Sequence, residues 1–351
     1  MRIKIYFLLV FIYLFIIGTA EAATLTVSEN GQANYTMIQE AINNANDGDT
    51  LLVYNGTFSE NVIVNRSVSI KSNSGNPDDT IVQAANPEEH IFNVTKNNVT
   101  ISGFKITGAE NFVRSPVAGI HLEGVNKNII SNNKLSQNVV GIDLQNSHNN
   151  VLENNTAYDN ERGIRFTNSN SNTLINNDVF NNHFGIYFWG SKNNILNHNN
   201  ASSNEEDGIW IEDNSSNNTI NNNMISNSDS GILLTESSSN NTIESNNVTS
   251  SLVGIQITDS NNNTVKDNFL TNNSRTGISI MRDSSNNTVK DNFLSNNSED
   301  ILTENSTNNQ IYNNEIKESE VHNADTSQVP FTDPLLTVII ILGTFAFMRK
   351  K

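Results

Sequence analysis

The sequence predicts an all-β chain wound as a single-stranded, right-handed parallel β-helix. It would have about 12–13 coils of 22–24 residues and a short helix at its N-terminal end. Three observations predict this. First, the segment "NNTVKDNFLTNNS" (Asn262–Ser274) returns 24 residues later as "NNTVKDNFLSNNS" (Asn286–Ser298), with one change in thirteen positions. Second, a Gly-Ile phrase recurs as "GIHL" (Gly119), "GIDL" (Gly141), "GIRF" (Gly163), "GIYF" (Gly185), "GIWI" (Gly208), "GILL" (Gly231), "GIQI" (Gly254) and "GISI" (Gly277), in steps of 22 or 23 residues, with "DILT" at Asp300 as a degenerate ninth copy. Third, one asparagine keeps the same phase throughout: Asn133, Asn155, Asn177, Asn199, Asn223, Asn246, Asn268, Asn292 and Asn314. Two residues after each stands an apolar or small side chain, from Leu135 to Ile316.

A fixed period of this size means a repeat architecture. Helical repeats need 30 or more residues and long faces of period 3.6, and none occur. The leucine-rich signature and the calcium-binding nonapeptide are absent too. Each unit instead holds three short apolar phrases separated by Asn, Ser, Asp and Gly, which fits three strands and three turns per coil. In the Gly-Ile phrase the Ile and the last apolar residue share one face and the residue between them takes the other. Inward residues of successive coils would stack about 4.8 Å apart into one core that no coil could bury alone. The glycine permits a bend or a close approach. The recurring asparagine is expected at a left-handed turn, its amide hydrogen-bonded to the copies above and below.

Before the regular coils, "YTMIQEAINNANDGDT" reads as a short helix. Ile38, Ala41, Ile42 and Ala45 fall on one face, Thr36 and Gln39 are spaced as a capping box, and Asp47-Gly48 ends the segment. Such a helix would plug the open end of the solenoid. The phrases "DTLLVYNGTF", "ENVIVNRSVSIKS", "TIVQA", "HIFNVT" and "NNVTISGFKITG" read as three or four irregular early coils. The whole rod would be about 60 Å long.

The ends suggest an address. Arg2 and Lys4, the apolar run Ile5–Ile17 and the Ala20-x-Ala22 arrangement read as a secretory signal peptide over 1–22. The β-helix is placed at 23–316, with the helix and first strand in 24–50 and regular repeats over 119–316. A polar linker follows at 317–330. A hydrophobic anchor or sorting signal at 331–351 ends in Arg349, Lys350 and Lys351. This tail resembles the C-terminal sorting signals of archaeal surface proteins, although Phe331 follows Pro330 directly where those signals often read Pro-Glu-Phe. Partners through this segment would be membrane.

Composition narrows the rest. With 37 acidic and 20 basic residues the net charge is -17, which excludes nucleic acid and anionic membrane surfaces as partners of the rod. Asparagine numbers 67, and no cysteine is present, which excludes disulfides, thiol nucleophiles and thiolate metal sites. Sixteen Asn-x-Ser/Thr sequences run from Asn34 to Asn305.

The helix-plus-strand opening, then "NNVTISGFKITGA", then the Gly-Ile and Asn coils, together resemble the pectin-lyase-like right-handed β-helix family. The likeness is to the branch shared by NosD-type copper-maturation proteins and carbohydrate-binding and sugar-hydrolase domains, including archaeal surface proteins. It covers about Thr24–Ile316. The resemblance implies Asp clusters with a basic residue, often with calcium, in members that cleave or epimerise acidic polysaccharides. No compact acidic motif recurs on adjacent coils here. The six histidines and few methionines are scattered rather than convergent as a copper site would need, so no cofactor is expected, calcium being the one ion that the resemblance leaves open.

One face stands out. The outward positions of the Gly-Ile strands carry Asp143, Arg165, Tyr187, Trp189, Trp210 and Glu212, and both tryptophans of the chain are among them. Aromatic plates beside acids and an arginine suit sugar rings or a protein partner. The same residues could serve as neutral packing, or as the acid/base set of an enzyme. The first expectation is a non-enzymatic, exported surface protein that binds surface glycans or envelope proteins. The alternatives are a polysaccharide lyase, hydrolase or epimerase, and a NosD-like metal-delivery accessory.

Overall fold

The computed structural model describes residues 22–111 and 116–317. The expected signal peptide (1–21 of it), the linker beyond Lys317 and the C-terminal anchor lie outside the described residues. The chain winds as a right-handed parallel β-helix of about 13 coils with a single short helix near its N-terminus. Every strand pairs in parallel with its equivalents one coil away, in three sheets. The first has thirteen strands, from Thr24–Val27 to Gln310–Tyr312. The second has eleven, from Val62–Val64 to Glu299–Glu304, and contains the Gly-Ile phrases. The third runs as stretches of six and five strands. The break falls at Asn200, which links Asp178 and Met224 by single bridges only. The local sequence Asn-Asn-Ala-Ser-Ser is poor in the β-branched and aromatic residues that favour strands.

Inward columns from all three sheets form the core, two of them from the eleven-strand sheet. Ile120, Ile142, Ile164, Ile186, Ile209, Ile232, Ile255 and Ile278 are partners in register, and Leu122, Leu144, Phe166 and Phe188 begin the next column. All are essentially inaccessible to water. Phe166 and Phe188 stack at 4.6 Å with planes 6° apart. Each buried Ile, Leu or Phe is worth roughly 1.5–3 kcal/mol over its exposed state. The glycine column is needed for close approach, because its Cα positions face the neighbouring backbone. A Cβ on Gly254 would stand 2.5 Å from the carbonyl oxygen of Gly277 and 2.9 Å from Leu270 Cδ2.

The nine recurring asparagines are vertical neighbours. At each step the Nδ2 of one donates to the Oδ1 of the next, from Asn133–Asn155 (3.1 Å) through Asn177–Asn199 (2.9 Å) to Asn292–Asn314 (2.9 Å). The same amide reaches a backbone carbonyl of the coil before, as Asn177 does to Leu152 at 2.9 Å. These asparagines are not themselves left-handed, contrary to expectation. The positive φ belongs to the residue before each of them: Asn132, Asn154, Asn176, His198, Asn222, Ser245, Asp267, Asp291 and Asn313, all near 55°. That neighbour makes the turn and leaves the ladder asparagine aimed inward. A second ladder runs from Asn128 through Asn150, Asn172, Asn194, Asn218, Asn241, Asn263 and Asn287 to Asn309. A shorter third one joins Asn138, Asn160, Asn182 and Asn204. Two turns of each regular coil are thus tied to the next coil through asparagine side chains, and the third turn is so tied from Asn138 to Asn204 and again from Asn273 to Asn297.

The helix Ile38–Asn44 buries Ile38, Ala41 and Ile42 over the first coil, and Ala45 follows them in. The expected Thr36–Gln39 capping box does not form. Met37 is the N-cap and makes no side-chain cap. The Glu60 carboxylate of the next coil accepts from the backbone N–H groups of Ile38 (2.8 Å) and Gln39 (2.9 Å) instead. A full negative charge there satisfies two orphan donors and complements the helix dipole better than a hydroxyl. Gln39 is thereby free for the sheet edge. Its Oε1 accepts from Ile63 N–H at 2.7 Å and its Nε2 donates to Ile63 C=O at 3.3 Å, pairing the last strand of the eleven-strand sheet.

Candidate ligand-binding face

The site is built on five successive strands of the eleven-strand sheet: Ala118–Glu123, Val140–Gln145, Arg162–Thr167, Phe184–Trp189 and Asp207–Glu212. Register places His121, Asp143, Arg165, Tyr187 and Trp210 in one outward column, and Glu123, Gln145, Thr167, Trp189 and Glu212 in the next. The six residues singled out from the sequence therefore do share a face. They divide into two halves of different character.

The first half is a closed polar network. Arg165 grips Asp143 in two bonds, Nε to Oδ1 at 2.7 Å and Nη2 to Oδ2 at 2.8 Å. His121 Nδ1 lies 2.9 Å from Asp143 Oδ2, and Gln145 Nε2 donates to the same oxygen at 3.1 Å. Complete burial pushes the Asp143 carboxyl up, but the hydrogen bonds and charges of His121 and Arg165 prevail and hold it well below the usual carboxylate range. His90 stacks on His121 with ring centres 4.0 Å apart and accepts from Ala118 N–H through Nδ1. Burial, then the nearby His121, lowers the His90 pKa to about 4. The expectation that Asp143 and Arg165 present themselves to a ligand is corrected here. Asp143 is fully buried and Arg165 nearly so, each covered by its partners. They brace the column from within.

The second half is aromatic and only partly open: Tyr187, expected on the ligand face, is buried to the same degree as Arg165, Phe184 and Trp210 are half-buried, and Trp189 is exposed. Tyr187 and Trp210 rings lie 5.0 Å apart, and Phe184 is 5.4 Å from Trp210. The Arg162 guanidinium sits 5.5 Å over Phe184 and 5.9 Å from Tyr187. Tyr187 donates its phenol hydrogen to Glu212 Oε1. Burial and that bond push the Tyr187 phenol up, and burial also raises Glu212. Trp210 Nε1 donates to Thr235 Oγ1 at 3.2 Å. Trp189 keeps 48% of its surface in solvent. Arg162, Phe184 and His90 were not singled out from the sequence. The first two precede the repeating glycine, where Ala118, Val140, Ser230 and Val253 are small or aliphatic on other coils. A bulky break in that column was the available signal.

Beside Phe184 runs an open groove of about 660 Å³ along the turns that enter this sheet, lined by Asp159, Glu161, His183, Glu205 and Asp229 among others. Buried Asp207, at the start of the strand that carries Trp210, has its pKa raised to about 6 by desolvation. Among the described residues no three His, Asp or Glu side chains converge as a set of metal ligands, and no helix is long and apolar enough to cross a membrane.

A family model described as "Right handed beta helix region" matches residues 26–223 and 118–268. The chain belongs to the right-handed β-helix family. Within it, a second family model, the periplasmic copper-binding protein NosD, matches residues 208–346. This β-helix protein is 35% identical over 122 residues to a cell surface glycoprotein of Methanothermus fervidus, across 34% of this chain but 18% of the relative's length. Among solved structures it resembles the A-module of the mannuronan C-5 epimerase AlgE4 of Azotobacter vinelandii (TM-score 0.62, 14% identity, covering 80% of this chain and 94% of the other). It also resembles the DFA-IIIase of Arthrobacter chlorophenolicus A6 (TM-score 0.64, 13% identity, 82% and 94%). At such identities the likeness is one of fold.

Proposed function

We propose that this protein is an exported, non-enzymatic β-helix of the cell surface that binds a saccharide on the Phe184–Tyr187–Trp210 face. The observation that carries the reading is the half-exposed Trp189 standing beside that cluster, with Arg162 and Glu212 at hand as hydrogen-bonding groups. Flat aromatic surfaces stack on the apolar faces of sugar rings, and flanking polar groups select hydroxyls. The surface glycoprotein relative supports export and a surface location. Charge bears on the ligand. Glu161, Glu205, Asp213 and Glu236 surround the face, whereas Asp143 neutralises Arg165, which favours neutral or amino sugars over polyuronates.

Both tryptophans of the chain lie on this face, so intrinsic fluorescence reports its occupancy. Titration with neutral, amino-sugar and uronate oligosaccharides should shift emission for the first two classes, with the response lost in Trp189→Ala. A silent glycan array together with unchanged emission would refute the reading. A second reading, a polysaccharide-acting enzyme, is favoured by one observation: Glu212, its carboxyl pushed up by burial and hydrogen-bonded by Tyr187, is a candidate acid/base group beside the open tryptophan. Glu212→Gln would abolish turnover in that case and leave fluorescence binding in place.

A further inference from the structure

We infer that the turn entering the thirteen-strand sheet is an N-glycosylation track, at Asn217, Asn240, Asn262 and Asn286. These four occupy one position on four successive coils, beginning on the coil of Trp210. Each is left-handed, with φ of 57°, 58°, 58° and 57°, and each is exposed. None of their side-chain amides makes a hydrogen bond to another described residue, whereas the asparagine after each (Asn218, Asn241, Asn263, Asn287) is buried and committed to the second ladder. Third comes a threonine opening the strand, and the threonines are partners in register: Thr219 with Thr242, Thr242 with Thr264, and Thr264 with Thr288.

The fold accounts for the first two residues of each sequon but not for the third. The left-handed turn wants Asn, and the ladder needs Asn. The strand position accepts Ile129, Val151, Ile195 or Gln310 on other coils. On the neighbouring coils the same turn reads Asn149-Asn-Val, Ser171-Asn-Thr, Asn193-Asn-Ile and Asn308-Asn-Gln, and no sequon survives. The Asn-Asn-Thr sequence is thus complete on four adjacent coils, where the free amide is exposed; an early coil carries Asn98-Val-Thr at the same left-handed turn, with Thr100 in register with Ile129, and Thr173 follows Ser171-Asn172. The coils are about 4.8 Å apart, so the four amides form a line of about 15 Å along the edge of the rod.

The transfer is balanced with a polyprenyl-phosphate-linked oligosaccharide as donor, presented by a membrane oligosaccharyltransferase. The asparagine nitrogen forms a bond to the anomeric carbon, the bond from that carbon to the phosphate oxygen breaks, the amide loses one proton, and the lipid phosphate leaves. The geometry also names sequons that stay bare. Asn65, Asn93 and Asn200 are only partly exposed; the side-chain oxygens of the first two are buried, and the Nδ2 of Asn200 donates to Asp178 Oδ1 at 2.7 Å.

The test is a glycopeptide mass map of the full protein isolated from its native host. It should show sugar mass on the peptides carrying Asn217, Asn240, Asn262 or Asn286 and none on those carrying Asn65, Asn93 or Asn200. Replacing Thr219, Thr242, Thr264 and Thr288 with Val preserves strand shape and should remove the sugar from those four positions completely. Four bare asparagines in the native protein would overturn the inference, as would equal occupancy of the three partly buried sequons. Because the native map alone decides, a variant that fails to reach the surface does not rescue the idea.

Discussion

Deleting one amide from the middle of the first ladder should weaken the rod far more than deleting one at its end. Asn177 Oδ1 accepts from Asn155 N–H and from Asn155 Nδ2, both at 3.0 Å. Its own Nδ2 donates to Leu152 C=O and Asn199 Oδ1, both at 2.9 Å. In Asn177→Ala, two buried donors of Asn155 lose this acceptor and the Leu152 carbonyl loses a donor, in a place water does not reach. An unsatisfied buried polar group costs about 1–3 kcal/mol, so the sum is roughly 3–5 kcal/mol. Asn314 makes the same bonds to Asn292 and Val289, but it is only half-buried, and water can replace them. Asn314→Ala should therefore lose about 1 kcal/mol. Solenoids unfold piecewise, so a single denaturation midpoint is a poor measure. Native-state hydrogen exchange at Asn155 N–H is the better assay: roughly 3–5 kcal/mol corresponds to an acceleration between about 10² and several times 10³-fold. Equal and small effects at Asn177 and Asn314, or unchanged exchange at Asn155, would refute the argument that the amides hold the coils together.

Gly254→Ala should destabilise the rod by several kcal/mol, on the order of an overpacked core site, because its Cβ would overlap the Gly277 carbonyl oxygen. Gly124→Ala, where nothing lies within 4 Å but φ is 63°, should lose only about 1 kcal/mol, the strain of a left-handed side chain; melting curves separate the two. Arg165→Leu alone leaves the Asp143 carboxylate buried without its partner and should be destabilising by about 3–5 kcal/mol, while Arg165→Leu with Asp143→Leu should recover much of that loss in a denaturant series. His90 supplies a pH signature. Its folded pKa of about 4 lies below the unfolded value near 6.5, so the folded state prefers the neutral ring. That preference is complete above about pH 6.5 and is lost as pH falls towards 4, a decline of up to about 3 kcal/mol. His90→Gln should flatten this limb of the stability profile, and an unchanged slope would show that another group causes it.

The fold was legible because repetition turns one coil into nine statements of the same constraint. The inward Ile column, the Gly column and the first asparagine column all follow from residues that recur without a partner in sequence nearby. The N-terminal cap was legible only in part. The apolar face of Ile38, Ala41 and Ile42 is a local pattern, but Glu60, which caps the helix, is supplied by the next coil and has no sequence signal at Thr36. The left-handed turn was misplaced by one residue for a related reason. Both asparagines of an Asn-Asn pair satisfy the composition rule, and only the geometry of the coil above decides which one turns and which one bonds. The second and third ladders were hidden by abundance, since an asparagine column is inconspicuous in a chain with 67 asparagines.

The site shows how such a scaffold separates structure from function. Columns that face inward or tie coil to coil are held to one residue type because each copy has the same neighbours. Outward positions of the eleven-strand sheet lie outside the apolar core, so the sequence there is free to differ: His121, Asp143, Arg165, Tyr187 and Trp210 follow one another, the first four of them buried, where the core column repeats Ile without change. Parallel stacking then brings side chains 22 or 23 residues apart into contact, which lets a charge placed on one coil be neutralised on the next. Asp143 and Arg165 do this, and their mutual burial removes both charges from the surface offered to a ligand. What remains exposed beside them is aromatic, with Arg162 held over the rings and Glu212 held by Tyr187. On the proposed reading, a face prepared in that way would take a ligand with apolar ring faces and neutral hydroxyls in preference to a polyanion.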